Sequence, residues 1–527
     1  MRYLVLYCLI FSAFMAAGKD VYISESGAGA QSGAACASAH SMAWFNDQSN
    51  WSQTPDANKI AWGDTVHLCG TITSQVSFTG AGDGGTAYTL LWESGCVVEA
   101  AAFTGNGWYH SAGRTFYTLD GGANGVIRCT NSGSPGTGLT STNGSSPAIS
   151  LSSPNHVTIK NLTISNIYVR AMGPYLQGGT AIELTDAGQN GGMRALTISN
   201  VVASHATAGV LGTYGTNCTN ILITASTFSN VNWGCGFGDS GSSSLLSNFV
   251  FSYNRVWAFT NWDGTDVASR AAFHHNGCYV YAESGGTAKY ITWVGNHIGP
   301  YFNAQLPDSQ ATSGLFTSGI GVVGPILGYN NLFEESDSPG DSPSNGSFVI
   351  WPTTCTVGLY NNTTASRNAN ARPMIGIIGA NGNITAFLTN NISTNKSGIF
   401  LSSWTGGDAA GINNNIVAFP PSGQAYSVST TSASDFKTLA QWQALGYDTH
   451  GTNLNPSLTA TFGLNANSAA IGYGANLNSI FTTDASNVVR GATWDAGWRE
   501  FVDTPSPLGN MNAHGTISVG TIIVVGP

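Results

Sequence analysis

A short segment near the middle of the chain concentrates side chains that could do chemistry. It contains three carboxylates, one guanidinium and two imidazoles: Asp263, Asp266, Arg270, His274, His275 and Glu283. Carboxylates can hold a divalent cation such as Ca²⁺ or transfer protons, and imidazole and guanidinium groups can act as bases or bind anions. Only 8% of the chain is charged, against about 25% in typical soluble domains. We therefore predict that these six residues are catalytic and that Asp263 and Asp266 bind the metal.

Aromatic and charged residues around this segment could contact a substrate. The candidates are Trp262, Trp233, Asp239, Arg255 and Tyr301. Aromatic side chains stack on ligands but also fill protein cores, and we expect Trp262 in a groove and Trp293 in the core. A plainer interpretation is that WDGTD forms a turn whose aspartates accept local hydrogen bonds. His274 and His275 would then alternate between core and surface, and Arg255 would brace a corner.

These candidates lie in a chain that repeats. Nine times, a short apolar run is followed by a small polar residue and another apolar pair. The polar residues align as Asn161, Asn200, Ser226, Asn254, Asn296, Asn331, Asn362, Asn391 and Asn415. A unit of this size cannot bury its apolar face alone, which predicts stacked coils. Asparagine tolerates a left-handed corner, and its amide can bond to the asparagines above and below. The pattern predicts a parallel β-helix.

The chain divides into regions along this repeat. We expect a cap and first coils over residues 19–145, the helix body over 146–420, and a short helix with covering strands over 421–527. The gaps after Asn254 and Asn296 are swollen, and insertions between coils often form the binding surface of a solenoid. Beyond residue 420, Phe436, Leu439, Trp442 and Leu445 recur at helical spacing, with Ser434 as the expected N-cap.

The N-terminus has the features of a secretory signal. Arg2 precedes a short apolar run that ends in the small residues Ala16, Ala17 and Gly18. We expect cleavage near Gly18, a mature start around Lys19, and a secreted monomer without membrane insertion.

Cysteine usage agrees with export. Of nine cysteines, Cys8 lies in the signal, and an even number in an exported chain favours disulfides. The pairs expected from proximity along the chain are Cys36–Cys69, Cys96–Cys129 and Cys218–Cys235.

The charge balance argues against nucleic acid as a partner. The net charge is −10, with 17 Lys and Arg in total and no run of them. A polyphosphate-binding groove needs clustered cations.

The chain resembles the secreted right-handed parallel β-helix proteins of the pectate-lyase-like superfamily. The similarity lies in the opening DVYISESGAGAQSGAACASAHSMAWFN, the TVHLCGTIT segment, and the closing LNANSAAIGYGANL and WDAGWREF. It covers nearly the whole mature chain. It implies an all-β, right-handed parallel β-helix of the pectin-lyase type, with an N-terminal cap and an irregular C-terminal cover. It also implies a polysaccharide partner, but no particular reaction.

Two enzyme chemistries and a binding function follow from the resemblance. In a lyase, Asp263 and Asp266 would help hold a Ca²⁺ ion that neutralises a uronate carboxylate, while Arg270 or His275 takes the C5 proton. In a glycoside hydrolase, two of Asp263, Asp266 and Glu283 would act as acid and base or nucleophile. The polygalacturonase motifs NTD, DD, GHG and RIK are absent, as is the WIDH-type stretch of pectate lyases, which disfavours a pectin-specific enzyme. A non-catalytic adhesin or a structural solenoid is the alternative.

Overall fold

A computed structural model shows how the repeats stack. It describes residues 18–502 with gaps at 81–85, 112, 132–145, 168–178, 187, 189–190, 260–274, 303–310, 336–345, 353, 380–383, 405–407, 419–423 and 432–434. All strand pairs longer than a single bridge are parallel in this part of the chain, apart from one antiparallel pair at its C-terminal end. The strands coil into an all-β, right-handed parallel β-helix, as predicted.

The first coils contain nine strands and one short helix. The strands are β1 (Asp20–Ser24), β2 (His40–Ser41), β3 (Thr65–Cys69), β4 (Thr71–Ile72), β5 (Val76–Phe78), β6 (Tyr88–Trp92), β7 (Val97–Ala100), β8 (Trp108–His110) and β9 (Thr115–Cys129). Helix α1 (Met42–Asn46) lies between 3₁₀ turns at Cys36–Ser38 and Gln48–Asn50. Ser41 caps α1 by accepting a hydrogen bond from the Trp44 N–H. Met42 and Phe45 of α1 are buried in the core.

The body of the helix consists of β10 to β33. The strands are β10 (Ile149–Ser152), β11 (Asn155–Ser165), β12 (Ile182–Thr185), β13 (Arg194–Ser199), β14 (Val202–Ser204), β15 (Ala208–Tyr214), β16 (Cys218–Thr224), β17 (Thr227–Val231), β18 (Trp233–Asp239), β19 (Leu245–Ser252), β20 (Arg255–Phe259), β21 (His275–Tyr281), β22 (Thr287–Val294), β23 (His297–Ile298), β24 (Ala311–Ser318), β25 (Ile326–Tyr329), β26 (Leu332–Glu335), β27 (Phe348–Trp351), β28 (Cys355–Tyr360), β29 (Thr363–Ile378), β30 (Ile384–Thr389), β31 (Ile392–Ser402), β32 (Asp408–Asn413) and β33 (Ile416–Ala418).

Each coil contributes one strand to each of three parallel sheets. Sheet 1 contains β10, β12, β15, β18, β21, β24 and β27; sheet 2 contains β13, β16, β19, β22, β25, β28, β30 and β32; sheet 3 contains β14, β17, β20, β23, β26 and β33. The long strands β9 and β11 turn from sheet 2 into sheet 3, and β29 and β31 turn from sheet 3 into sheet 1. Side chains alternate between the interior and the outer face of each sheet. Apolar side chains fill one continuous core.

From Asn254 onward, the predicted asparagine column forms at the corner between sheets 2 and 3. The Asn296 Oδ1 accepts hydrogen bonds from the Asn254 backbone N–H at 3.0 Å and from the Asn254 Nδ2 at 3.3 Å. The same pattern repeats at Asn331, Asn362, Asn391 and Asn415. All these side chains are buried. The column therefore satisfies backbone donors that a sharp interior corner would otherwise leave unpaired.

Asn161 and Asn200 do not belong to this column, and the alignment that placed them there is wrong by one residue. Val202 pairs with Thr227, so Ser226 stacks over Val201. The corner has two consecutive positions, a left-handed residue at the surface and a residue that points into the core. Asn161 and Asn200 take the left-handed position, with φ of 59° and 51°. There the Asn200 Nδ2 donates to the Asn161 Oδ1 at 2.8 Å.

The chain ends its regular coils with β34 (Gln424–Val428), β35 (Phe436–Thr438) and helix α2 (Leu439–Ala444). The predicted N-cap at Ser434 is wrong. Thr438 caps α2, because its hydroxyl accepts from the Gln441 N–H while the Gln441 side chain accepts from the Thr438 N–H. Trp442 is fully buried and closes this end of the core.

Residues 446–502, here called the C-terminal arm, pack back along the solenoid. Left-handed asparagines of the later corners hold the arm by donating to its carbonyl oxygens. The Nδ2 groups of Asn330, Asn361, Asn390 and Asn414 bond to Thr483, Asp495, Ala475 and Tyr473 at 2.8–3.0 Å. Arm side chains also pack on outer residues of sheet 3, including Trp498 on Leu332. The expected cover therefore shields a side of the solenoid as well as its end.

One predicted disulfide forms and two do not. Cys36 and Cys69 are bonded, which is confirmed, whereas Cys96, Cys129, Cys218 and Cys235 are buried thiols. Cys129 pairs in register with Ala100, so Cys96 lies four residues away, about 13 Å along the strand and beyond disulfide reach. Cys218 begins β16 in sheet 2, while Cys235 lies within β18 in sheet 1.

Candidate functional site

Much of the predicted catalytic segment lies outside the residues that the structure describes. This holds for Trp262, Asp263, Asp266, Arg270 and His274, whose roles stay predictions. The segment follows β20 and precedes β21, so it connects sheet 3 to sheet 1.

The described residues at the end of that segment are held by protein contacts. His275 is 2% exposed, and its Nδ1 lies 3.2 Å from the carbonyl oxygen of Phe302. Glu283 is exposed and accepts a hydrogen bond from the Ser318 hydroxyl at 2.6 Å. Asp239 accepts from the backbone N–H groups of Glu283, Ser284 and Gly286 at 2.8–3.2 Å. The Asp239 carboxylate thus fixes the turn of the next coil, while its predicted substrate role is untested.

The aromatic candidates differ in exposure. Trp293 is fully buried in the core, as predicted. Trp233 is 8% exposed and packs edge-on against Tyr279, with ring centroids 6.0 Å apart, in a cluster outside the main core. Tyr301 is 46% exposed and has a φ of 67°.

The outer face of sheet 1 carries an apolar cluster. Trp233, Tyr279 and Phe316 form a cluster there, and the Trp351 side chain beside it is 47% exposed. The described strands of sheet 1 from β10 to β27 contain no lysine or arginine. This face can stack on a ligand, but those strands offer no cation to neutralise an anionic one.

Two carboxylates near this face stand too far apart to act together. Glu183 has a raised pKa because of burial, which a hydrogen bond from Ser150 partly offsets. In register, the Glu183 backbone is three coils from Tyr279, about 14 Å, and Glu283 follows Tyr279 by four residues, about 13 Å of extended chain. The two backbone positions are thus about 19 Å apart, whereas the paired carboxyl groups of hydrolases stand about 5–10 Å apart. Glu183 and Glu283 are not a hydrolytic pair.

A second group of ionisable side chains converges on the outer face of sheet 3, beside the arm. We call Arg255, His297, Glu334 and Arg499 the arm-side cluster. Arg255 on β20 pairs in register with His297 on β23. The His297 Nε2 lies 2.8 Å from the Glu334 Oε2, and Trp498 of the arm lies 6.2 Å from the His297 ring. Four charged or titratable groups thus meet where the arm reaches the sheet.

The surroundings of His297 favour a neutral imidazole. His297 is 9% exposed, and burial lowers its pKa; Glu334 opposes this shift, and the cations Arg255 and Arg499 add to it. A proton on Nε2 would be shared with Glu334, which leaves the lone pair on Nδ1. A neutral imidazole oriented by a carboxylate is a competent general base.

Both arginines of the cluster lie on tryptophan rings. The Arg255 guanidinium is 5.7 Å from the Trp257 centroid, and the Arg499 guanidinium is 4.1 Å from the Trp498 centroid. The Nε of each arginine is buried without a hydrogen-bond partner. Burial also lowers the pKa of Arg499. Guanidinium groups held against aromatic rings suit the recognition of a carboxylate or sulfate.

Sequence reasoning found Arg255 but missed His297, Glu334 and Arg499. A signal for two of these was present in the repeat. Arg255 and His297 each directly follow a column asparagine, and Glu334 stands three residues after Asn331, so these side chains share the outer face of sheet 3. Arg499 carried no such signal, because the arm has no repeat.

The part of the chain that the structure describes contains no candidate metal centre. No group there of three or more His, Cys, Asp or Glu side chains could hold a metal ion. Asp263 and Asp266 lie outside it, and their Ca²⁺ role stays a prediction. Within the same residues, no helix is long and apolar enough to cross a membrane.

Comparisons with known proteins extend only to the fold. No protein-family model and no curated protein matches the sequence. Among solved structures, the chain is similar to pectate lyase Pel9A, with 14% identity and a TM-score of 0.37 over 92% of this chain and 96% of that one. It is also similar to the GH136 lacto-N-biosidase from Eubacterium ramulus, with 10% identity and a TM-score of 0.41 over 76% of this chain and 64% of that one. The strand pairing itself shows that the chain is a right-handed parallel β-helix protein.

Proposed function

We propose that this protein is an exported polysaccharide lyase that acts on a uronate-containing glycan. The observation that carries the proposal is the arm-side cluster, in which an imidazole–carboxylate pair is flanked by two arginines stacked on tryptophans. β-Elimination needs cations at the uronate carboxylate and a base at the neighbouring carbon. The cluster contains both kinds of group.

The chemistry follows from these groups. The guanidinium groups of Arg255 and Arg499 bind the uronate carboxylate and stabilise the charge that develops when C5 loses its proton. The Nδ1 of His297 takes that proton, while Glu334 stabilises the resulting imidazolium. The electrons of the C5–H bond form the C4–C5 double bond, the C4–O bond breaks, and the departing oxygen takes up a proton from the imidazolium or water. Trp257 provides a surface on which a sugar ring can stack.

The predicted segment stays part of the proposal. It leaves the end of β20, the strand that carries Arg255 and Trp257. Asp263 and Asp266 would add a Ca²⁺ ion that helps neutralise the carboxylate, and Arg270, His274 or His275 would contribute proton transfer or anion binding.

Export to an oxidising compartment, as a monomer, is also proposed. The Cys36–Cys69 disulfide supports it, as does the signal-like N-terminus.

The test is an assay of the exported protein on a panel of uronate-containing and neutral polysaccharides. The ultraviolet absorbance of unsaturated products and the number of reducing ends are followed together, with Ca²⁺ or with chelator. We expect absorbance to rise with new ends. His297→Gln should lower the rate about 10²–10⁴-fold, with retained folding by circular dichroism. Activity should hold at neutral pH and fall in acid, since a protonated His297 cannot accept the C5 proton.

Matched variants separate the cluster from general effects of charge. Arg255→Ala and Arg499→Ala should raise KM and lower kcat, because both residues would bind the carboxylate. Arg128→Ala is the control, since Arg128 also lies on sheet 3 but pairs with Glu99 at 2.7 Å. Elimination that survives His297→Gln would contradict the proposed base. Reducing ends without absorbance would indicate hydrolysis instead.

A non-catalytic binding function is the second candidate. It is favoured by the apolar outer face of sheet 1, where Trp351 is 47% exposed beside the cluster of Trp233, Tyr279 and Phe316. Retention on a polysaccharide column without any product, lost in Trp351→Ala, would establish binding and exclude the lyase.

A further inference from the structure

A buried carboxylate accepts a hydrogen bond from the backbone N–H of the residue at which the mature chain is expected to begin. Asp64 is 4% exposed, and its Oδ1 accepts a hydrogen bond from the Lys19 backbone N–H at 2.9 Å. Its Oδ2 accepts from the Ala61 N–H at 2.8 Å. Both contacts are to neutral amides, so they compensate only part of a buried negative charge.

The side chain of Lys19 approaches Asp64 only at the outer limit of an ion pair. Its Nζ stands 4.0 Å from the Asp64 Oδ2. It bonds instead to the carbonyl oxygens of Asp56 and Lys59 at 2.5 and 2.6 Å. A cation would therefore interact most strongly with the Asp64 carboxylate at the position that the Lys19 backbone nitrogen occupies.

The backbone around Lys19 is fixed, so this nitrogen cannot move away. The Lys19 carbonyl accepts from the Thr65 N–H at 2.9 Å, and β1 begins at the next residue in register with β3. Gly18 lies against Gly63, where an added Cβ would stand 1.8 Å from the Gly63 carbonyl oxygen. A cavity lined by Gly18, Lys19, Ala61 and Asp64 gives water access to this point.

We propose that the peptide bond between Gly18 and Lys19 is the processing site, and that the α-ammonium group released on Lys19 forms a buried ion pair with Asp64. Hydrolysis of this bond adds one water molecule, leaves the carboxylate on the departing Gly18, and turns the Lys19 amide into an ammonium. The nitrogen keeps its place at Asp64 and gains a full charge. Maturation would then stabilise the pairing of β1, the first strand of the solenoid, with β3 of the second coil. This inference rests on the proposed export.

The first measurement is the intact mass of the exported protein. A start at Lys19 is expected, and a start at any other residue overturns the processing site. Protein that stays in the cell and retains the first 18 residues would instead count against export itself. Neither result depends on finding a substrate, so failure of this inference is distinguishable from failure of the lyase proposal.

The ion pair is tested on protein released from a fusion with its N-terminus at Lys19 or at Gly18. The readouts are the acetylation rate of the α-amine and the melting temperature. Pairing with Asp64 should raise the α-amine pKa by about one unit or more, which lowers its reactive fraction about tenfold. Retaining Gly18 should lower the melting temperature and speed acetylation.

Two variants complete the test. Asp64→Asn should speed acetylation and remove the difference in melting temperature between the two starts. Asp56→Asn is the control, because Asp56 lines the same cavity and binds Lys19 through its carbonyl oxygen alone. If Asp64→Asn does not fold, the comparison of the two starts with Asp64 intact still decides the matter. Equal acetylation rates for the two starts would overturn the ion pair.

Discussion

Asp448 ends the asparagine column, and replacing it with asparagine should stabilise the protein at neutral pH but not in acid. Asp448 is fully buried, and its Oδ1 accepts from the Asn415 N–H at 3.2 Å, as a column asparagine would. Its Oδ2 is buried without a hydrogen-bond partner. Asp448→Asn keeps the acceptor and the shape but removes a buried charge that the hydrogen bonds from Asn415 compensate only in part.

The magnitude follows from the pKa. Burial raises the pKa of Asp448 from 3.8 to about 7, against the opposing hydrogen bonds from Asn415. The folded state therefore holds this proton more tightly than the unfolded state. The contribution to stability is fully present below pH 3.8 and is lost as the pH rises to about 7. A difference of about 3 pKa units corresponds to about 4 kcal/mol.

The assay is urea unfolding of wild type and Asp448→Asn at pH 4 and pH 8, followed by fluorescence. Trp442 closes this end of the core and stacks on Tyr426 at 5.1 Å, so it reports on the region. At pH 8 we expect the variant to gain about 2–4 kcal/mol in the free energy of unfolding. At pH 4 the gain should nearly vanish.

Asp435→Asn is the control, because the Asp435 side chain is 63% exposed and its carboxylate pairs with Lys437 at the surface. An equal effect of Asp448→Asn at both pH values would refute the reasoning, since the gain would then not come from ionisation. A loss of stability at pH 8 would show that the carboxylate has a role that an amide cannot fill.

Other predictions concern the column, the arm and the disulfide. Asn331→Leu should cost about 2–4 kcal/mol in the free energy of unfolding, because the Asn296 N–H that bonds to it at 3.0 Å would be left buried and unpaired; a loss below 1 kcal/mol would contradict this. Arg490→Met should loosen the arm, since Arg490 is buried and bonds to arm carbonyl oxygens at 3.0–3.2 Å; limited proteolysis should then cut the arm before the coils, and unchanged protection would argue against this role. Cys36→Ser with Cys69→Ser should cost about 3–4 kcal/mol, because the bond closes a loop with a separation of 33 residues, and the melting temperature should fall as it does with reductant; no fall with reductant would contradict this.

The architecture could be predicted from the amino-acid sequence. The alternation of apolar and polar residues and the recurring asparagine are local patterns, and a coil that repeats them must bury its apolar side against the next coil. Strand pairing and the hydrogen bonds from Asn254 to Asn415 confirm this. The register of Asn161 and Asn200 was missed, because the left-handed residue and the inward-pointing residue are adjacent and both accept asparagine.

Which side chains meet in the candidate site could not be predicted in this way, because it depends on the fold of the whole chain. Cys96 and Cys129 are close along the chain but out of register, whereas Arg255 and Arg499 are far apart in sequence and share one cluster. The reason is that coil stacking follows a repeat that can be read locally, while the path of the arm depends on its contacts with asparagines at the corners and with outer apolar residues such as Leu332. A site formed between a repeating scaffold and a non-repeating arm cannot be recognised from a repeat in the sequence.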